Sequence, residues 1–125
     1  MMKKKYVLGI FQFILLLSTS SCECKWNGEV SFAVEGTISD VDIEYSTSEV
    51  YENLVSASLP WYSENISAHA EDQEYEDCYI SVKNNTADTS PITVKIYVDG
   101  ELRAEETGSG ANCTVSTGYT IDEFE

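Results

Sequence analysis

Four cysteines, Cys22, Cys24, Cys78 and Cys113, and one histidine, His69, carry the most reactive side chains of this 125-residue chain, and their spacing limits what they can do. Cys22-Glu23-Cys24 is not a redox CxxC pair, and no second cysteine pair or histidine cluster exists to complete a zinc site. What remains for the thiols is acylation or disulfide formation. Cys22 follows Thr19-Ser20-Ser21, a run of small residues, and behind these lie the apolar stretch Tyr6 to Leu17 and the charged start Met1-Met2-Lys3-Lys4-Lys5. A basic end, a short apolar run and small residues at a cleavage point define an export signal. The run is too short for a membrane span of about 20 apolar residues, and Gly9 and Gln12 interrupt it.

Residues 1–21 are therefore expected to be a lipoprotein signal peptide, with Cys22 receiving the diacylglycerol and becoming the mature N-terminus. Two or more acyl chains hold a protein on a bilayer, where one is marginal. Position 19, three before the cysteine and more often Leu, is Thr here. That leaves ordinary secretory cleavage within Ser18 to Ser21 as the alternative, with Cys22 then part of a disulfide framework. The expected location is the bacterial cell envelope, lipid-anchored at the outer membrane.

His69 has no nucleophile motif near it, so no catalytic constellation is visible and an enzyme is not expected. Glu71, Asp72, Glu74, Glu76 and Asp77 are oxygen-rich, but their spacing is not that of an EF-hand loop. They are expected to be a solvated charge run, and neither a metal nor a cofactor is expected.

Charge narrows the partners. All 22 acidic residues lie beyond residue 21, where Lys25, Lys83, Lys95 and Arg103 are the only bases, which gives a mature net charge of −18 with His69 neutral. A nucleic-acid binder needs Lys or Arg to neutralise phosphates, so nucleic acid is not an expected partner. A polybasic grip on anionic lipid is excluded on the same ground. The acidity serves solubility or faces a basic partner.

The elements that position these residues are strands. Val30, Phe32 and Val34 alternate with Ser31, Ala33 and Glu35, and Val41, Ile43 and Tyr45 alternate with Asp42 and Glu44. Residues 49–57 predict a third strand. Pro60 in Leu59-Pro60-Trp61 removes a ladder donor and marks a strand end or bend. Further strands are expected around Ile66 to Ala70, Tyr75 to Lys83 and Ile92 to Val98. Asp99-Gly100 predicts a type I′ hairpin because Gly accepts positive φ, with Glu101 to Thr107 running back. A last strand carries Cys113, Val115 and Thr117. Short alternating strands at this spacing indicate an all-β sandwich or small barrel.

In an exported protein, cysteines are disulfide material. Cys78 shares a face with Ile80 and Val82, and Cys113 with Val115, so both are expected to point into the core and to pair with each other. Cys24 is then free, bridged to another copy or, without lipidation, bridged to Cys22 or a distant cysteine.

Val34-Glu35-Gly36-Thr37, Val41-Asp42-Ile43-Glu44-Tyr45, Leu59-Pro60-Trp61, Val98-Asp99-Gly100 and Gly108-Ser109-Gly110-Ala111 occur in an order that resembles the MmpS-type family. Those are small envelope proteins known as accessory partners of large lipid and siderophore exporters in mycobacteria, and similar domains are found in lipoproteins of the Bacteroidetes. The resemblance covers about residues 29–119. It implies one immunoglobulin-like antiparallel β-sandwich of about seven strands, between an anchor linker at 22–28 and an acidic tail at 120–125. A lipid on Cys22 would replace the mycobacterial membrane helix.

Two functions are compatible with this reading. One is a non-enzymatic, lipid-anchored accessory module that docks on a transporter or other envelope assembly. The other is a surface lipoprotein that holds glycan or peptide through exposed aromatics such as Trp61, Tyr62 and Tyr75.

Overall fold

The computed structural model describes residues 26–70 and 75–122. Among them are nine strands and no helix: β1 (Trp26–Glu35), β2 (Val41–Ser46), β3 (Tyr51–Ala57), β4 (Trp61–Tyr62), β5 (Ile66–Ala70), β6 (Tyr75–Asn84), β7 (Ile92–Val98), β8 (Glu101–Gly108) and β9 (Thr114–Asp122). They form two antiparallel sheets, as the alternation predicts. The first runs β4-β1-β7-β8 with β5 also on β1, and the second runs β3-β2-β6-β9. Strands β4 and β5 share one flank of β1, pairing with its end at Ala33 and Val34 and with its start from Trp26 to Val30 respectively. This interrupted flank raises the strand count above the expected seven.

Regular pairing also extends past 29–119 on both sides. Trp26 pairs with Ala70, and Asp122 pairs with Tyr75. Residues 26–28 of the expected linker and 120–122 of the expected tail are therefore strand, because each finds a ladder partner.

The core lies between the sheets and is built from the alternating faces. On β1, Val30, Phe32 and Val34 point inward, and on β7 Ile92, Val94, Ile96 and Val98 do; all are buried. The second sheet answers with Val41 and Ile43 of β2, Cys78, Ile80 and Val82 of β6, and Val115 and Ile121 of β9. A one-residue slip would send every one of these to solvent, so the pattern also determines register.

Turn chemistry agrees with the sequence at the β7–β8 hairpin, where Asp99 and Gly100 have φ of 52° and 84°, as a type I′ turn requires. Asp99 also ties this turn to β1: its N–H donates to the Glu29 carbonyl at 2.8 Å, and its Oδ1 accepts the Glu29 N–H at 2.9 Å. Two register shifts, one in the β2–β3 ladder and one in the β7–β8 ladder, were not foreseen. Val55 and Ser56 together oppose Asp42 where the β2–β3 register shifts, and Ser56 takes a φ of 56°. The Asp42 carboxylate accepts the Ser56 N–H at 3.0 Å and thereby holds the bulge.

Candidate functional site

On β6 the residues between the inward ones face solvent, and the register places their neighbours. Tyr79 of β6 stands opposite Ser46 of β2, Ser46 opposite Tyr51 of β3, and Tyr79 opposite Gly118 of β9 on its other side. One row across the second sheet thus reads Tyr51, Ser46, Tyr79, Gly118. The Tyr79 ring lies beside Gly118, with 4.0 Å between its Cδ1 and the point a Cβ would occupy. The Tyr51 hydroxyl donates to Glu44 Oε2 at 2.8 Å, a bond that raises the Tyr51 pKa above its ordinary value.

Of the six exposed large hydrophobic side chains among the described residues, Tyr51, Val55, Tyr75 and Tyr79 belong to this one face. Tyr62 and Leu102 are on the outer face of the first sheet, by their registers with Ala33 and Tyr97. The concentration on one side distinguishes a surface from scattered exposure. Carboxylates frame it: Asp42, Glu44, Asp77 and Asp122 face outward beside the rings, with Lys83 opposite Asp42. Asp42 accepts from Ser56 N–H and Asn85 Nδ2, and these bonds, with the Lys83 charge, hold its pKa below the usual carboxylate value. Asp77 accepts from Thr120 at 2.8 Å.

The expected interaction residues are not brought together. Trp61 pairs opposite Val34 and faces inward; its ring is 5.3 Å from that of Tyr45, which is in turn 5.0 Å from Phe32. Tilted rings at this separation pack favourably. They bridge the two sheets, so Trp61 is a packing residue and not an exposed contact. Tyr62 and Tyr75, at 62% and 55% exposure, are open to solvent but on opposite faces of the sandwich. Tyr51 and Tyr79 were missed from sequence because the neighbourhood across β3, β2 and β6 exists only in the sheet.

The expected bridge between Cys78 and Cys113 is also corrected: both thiols are free. Cys78 is buried opposite Tyr119, whereas the Cys113 carbonyl accepts the Asn84 N–H at 2.9 Å, at the far end of β6. Six residues of strand separate the two positions, about 20 Å, while a disulfide needs Cα atoms about 4.4–6.8 Å apart. Burial pushes the Cys78 thiol up to about 12, with Glu76 and Asp77 adding to the shift. It is an inert core thiol. Cys22 lies outside the described residues.

The acidic run divides. Residues 71–74 lie outside the described residues, Asp77 is exposed, and Glu76, expected in solvent, is 1% exposed at the inward face of β6. Its Oε2 accepts the Ser48 N–H at 2.5 Å, which secures the turn between β2 and β3; Oε1 has no hydrogen-bond partner among the described residues. At the other end of the same face, buried Asn84 donates to the carbonyls of Asp88 and Gly110 and accepts from Thr86, which fastens the loops at that end. No group of three His, Cys, Asp or Glu side chains among the described residues could hold a metal. Compared with protein-family models and with curated proteins, the chain matches none.

Proposed function

We propose that the protein is a non-enzymatic, lipid-anchored envelope module that docks on a transporter or another envelope assembly. The observation that carries this reading is the spacing between Cys22 and Trp26, the first paired residue among those described. A chain advances at most about 3.6 Å per residue, so an acylated Cys22 would hold the sandwich within about 14 Å of its anchor. A domain tethered that closely is held beside membrane-embedded neighbours. The resemblance to the MmpS-type family supports the same reading.

Mass spectrometry of the mature N-terminus, with membranes fractionated in parallel, tests the anchor. A fragment that begins with an unmodified residue before Cys22 would overturn it. Crosslinking in intact membranes tests the docking, with a transporter or envelope subunit as the expected product; recovery of the protein alone would count against it. A second reading, a surface lipoprotein that binds glycan or peptide, is favoured by the exposed rings of Tyr62 and Tyr75. A glycan array that stays silent at high protein concentration removes it.

A further inference from the structure

We propose that the outer face of the second sheet docks a basic polypeptide segment, with a Lys or Arg side chain seated between Tyr51 and Tyr79 over Ser46 and with Glu44 as its counter-charge. The inference deepens the interaction-module reading and rests on it, but it does not depend on acylation of Cys22.

Three observations converge. The first is the gap itself. Tyr51 and Tyr79 are two strand spacings apart in one row, with only the small Ser46 between them. Two spacings are about 9–10 Å, and a cation is attracted by a ring within about 6 Å of its centroid. Those spacings separate the backbones, so a cationic side chain entering over Ser46 has Tyr51 on one side and, on the other, Tyr79, whose ring also lies beside Gly118. The second is the carboxylate at the wall: Glu44 is fixed by the Tyr51 hydroxyl at 2.8 Å, one row along β2 from the gap. The third is the charge of the face. Four carboxylates and one lysine frame the rings, in a chain where acids exceed bases by 22 to 7.

An anionic partner, whether nucleic acid or acidic lipid, is repelled by this surface. The outer face of the first sheet offers no equivalent. There Lys95 is 3.0 Å from Glu35 and Arg103 is 2.9 Å from Glu101, so two of its carboxylates already have a base beside them.

The test uses the full chain in neutral detergent micelles and a fluorescent ten-residue peptide of alternating Lys and Ser, followed by anisotropy at low and high salt. Tyr51→Ala and Tyr79→Ala together should weaken binding by about tenfold or more. Glu44→Gln should weaken it by about threefold, and Tyr79→Phe, which keeps the ring, should bind as the parent does. The double variant Glu105→Gln with Glu106→Gln, on β8 away from this face, should leave the affinity unchanged. Melting midpoints establish that each variant is folded, and all the substituted side chains are on the surface.

Three results would overturn the proposal: no measurable peptide binding by the parent, losses in the β8 control equal to those of Glu44→Gln with the tyrosine variants unaffected, or salt-resistant binding of a neutral oligosaccharide that needs the same two tyrosines. Peptide binding that behaves as expected, beside membrane crosslinking that recovers nothing, would sink transporter docking and leave this assignment standing.

Discussion

Cys78 and Cys113 face the same core from positions six residues apart on the β6–β9 ladder, Cys78 opposite Tyr119 and Cys113 beside the Asn84 amide. They are neighbours in strand partnership and strangers in distance. The core is thus closed by packing between the sheets and not by a covalent bridge across them.

This separation predicts unequal thiol reactivity. Cys113 is only half-buried, whereas Cys78 is buried with its pKa pushed up to about 12. Iodoacetamide followed by peptide mass spectrometry should modify Cys113 in the native protein and Cys78 only after unfolding. Oxidised protein containing a Cys78–Cys113 peptide would contradict the register.

The Phe32–Tyr45–Trp61 stack predicts that Trp61→Ala costs about 2–4 kcal/mol, below the full range for a completely buried aromatic because Trp61 is half-buried. Tyr62→Ala, one residue on and exposed, should stay within about 0.5 kcal/mol of the parent. Urea melts measure both. A larger loss from Tyr62→Ala than from Trp61→Ala would mean that the inward and outward sides of β4 have been exchanged.

Stability should fall in acid through Asp42 and Asp88. Asp42 is held low first by the Ser56 N–H, and Asp88 by its bonds to Ser90. A carboxyl whose pKa is lower folded than unfolded contributes stability above its unfolded value of 3.8, and that contribution is lost as pH falls through the folded value. Asn at either position can still accept the backbone N–H but cannot titrate. Asp42→Asn with Asp88→Asn should therefore flatten the decline in melting midpoint below about pH 4; an unchanged acid branch would place the dependence elsewhere.

Glu76→Ala should cost about 1–3 kcal/mol, since the part-buried bond from the Ser48 N–H to the buried Glu76 carboxyl is lost. Hydrogen exchange should show the turn between β2 and β3 opening more often, with protection of the β7 amides little changed. Uniform loss across both sheets would mean that Glu76 supports the whole core and not that turn.

The strand periods were legible because each burial pattern is written in consecutive residues. Val30-Phe32-Val34, Ile80-Val82 and the run Ile92 to Val98 each announce one wet and one dry face, and Asp99-Gly100 announces its hairpin through the φ values it tolerates. Glu76 was not legible. Its position on the inward side of β6 follows the same alternation as Cys78 and Ile80, but a carboxylate inside four further acids reads as solvated until the Ser48 N–H is seen to meet it.

What the amino-acid order determined alone is local: which residues are strands, which side of each strand is apolar, and where the chain turns. It also carries the Lys3-Lys4-Lys5 to Cys22 pattern on which the proposed export signal rests, because such a signal would be read as linear sequence. Tertiary structure decided which strands are neighbours, and with that everything that depends on distance across a sheet. Pairing of β3, β2 and β6 set Tyr51 and Tyr79 either side of Ser46, and the β6–β9 register moved Cys78 away from Cys113. Periodicity specifies the direction of a side chain along its own strand, while the partner it meets depends on long-range ladders that no short stretch of sequence contains.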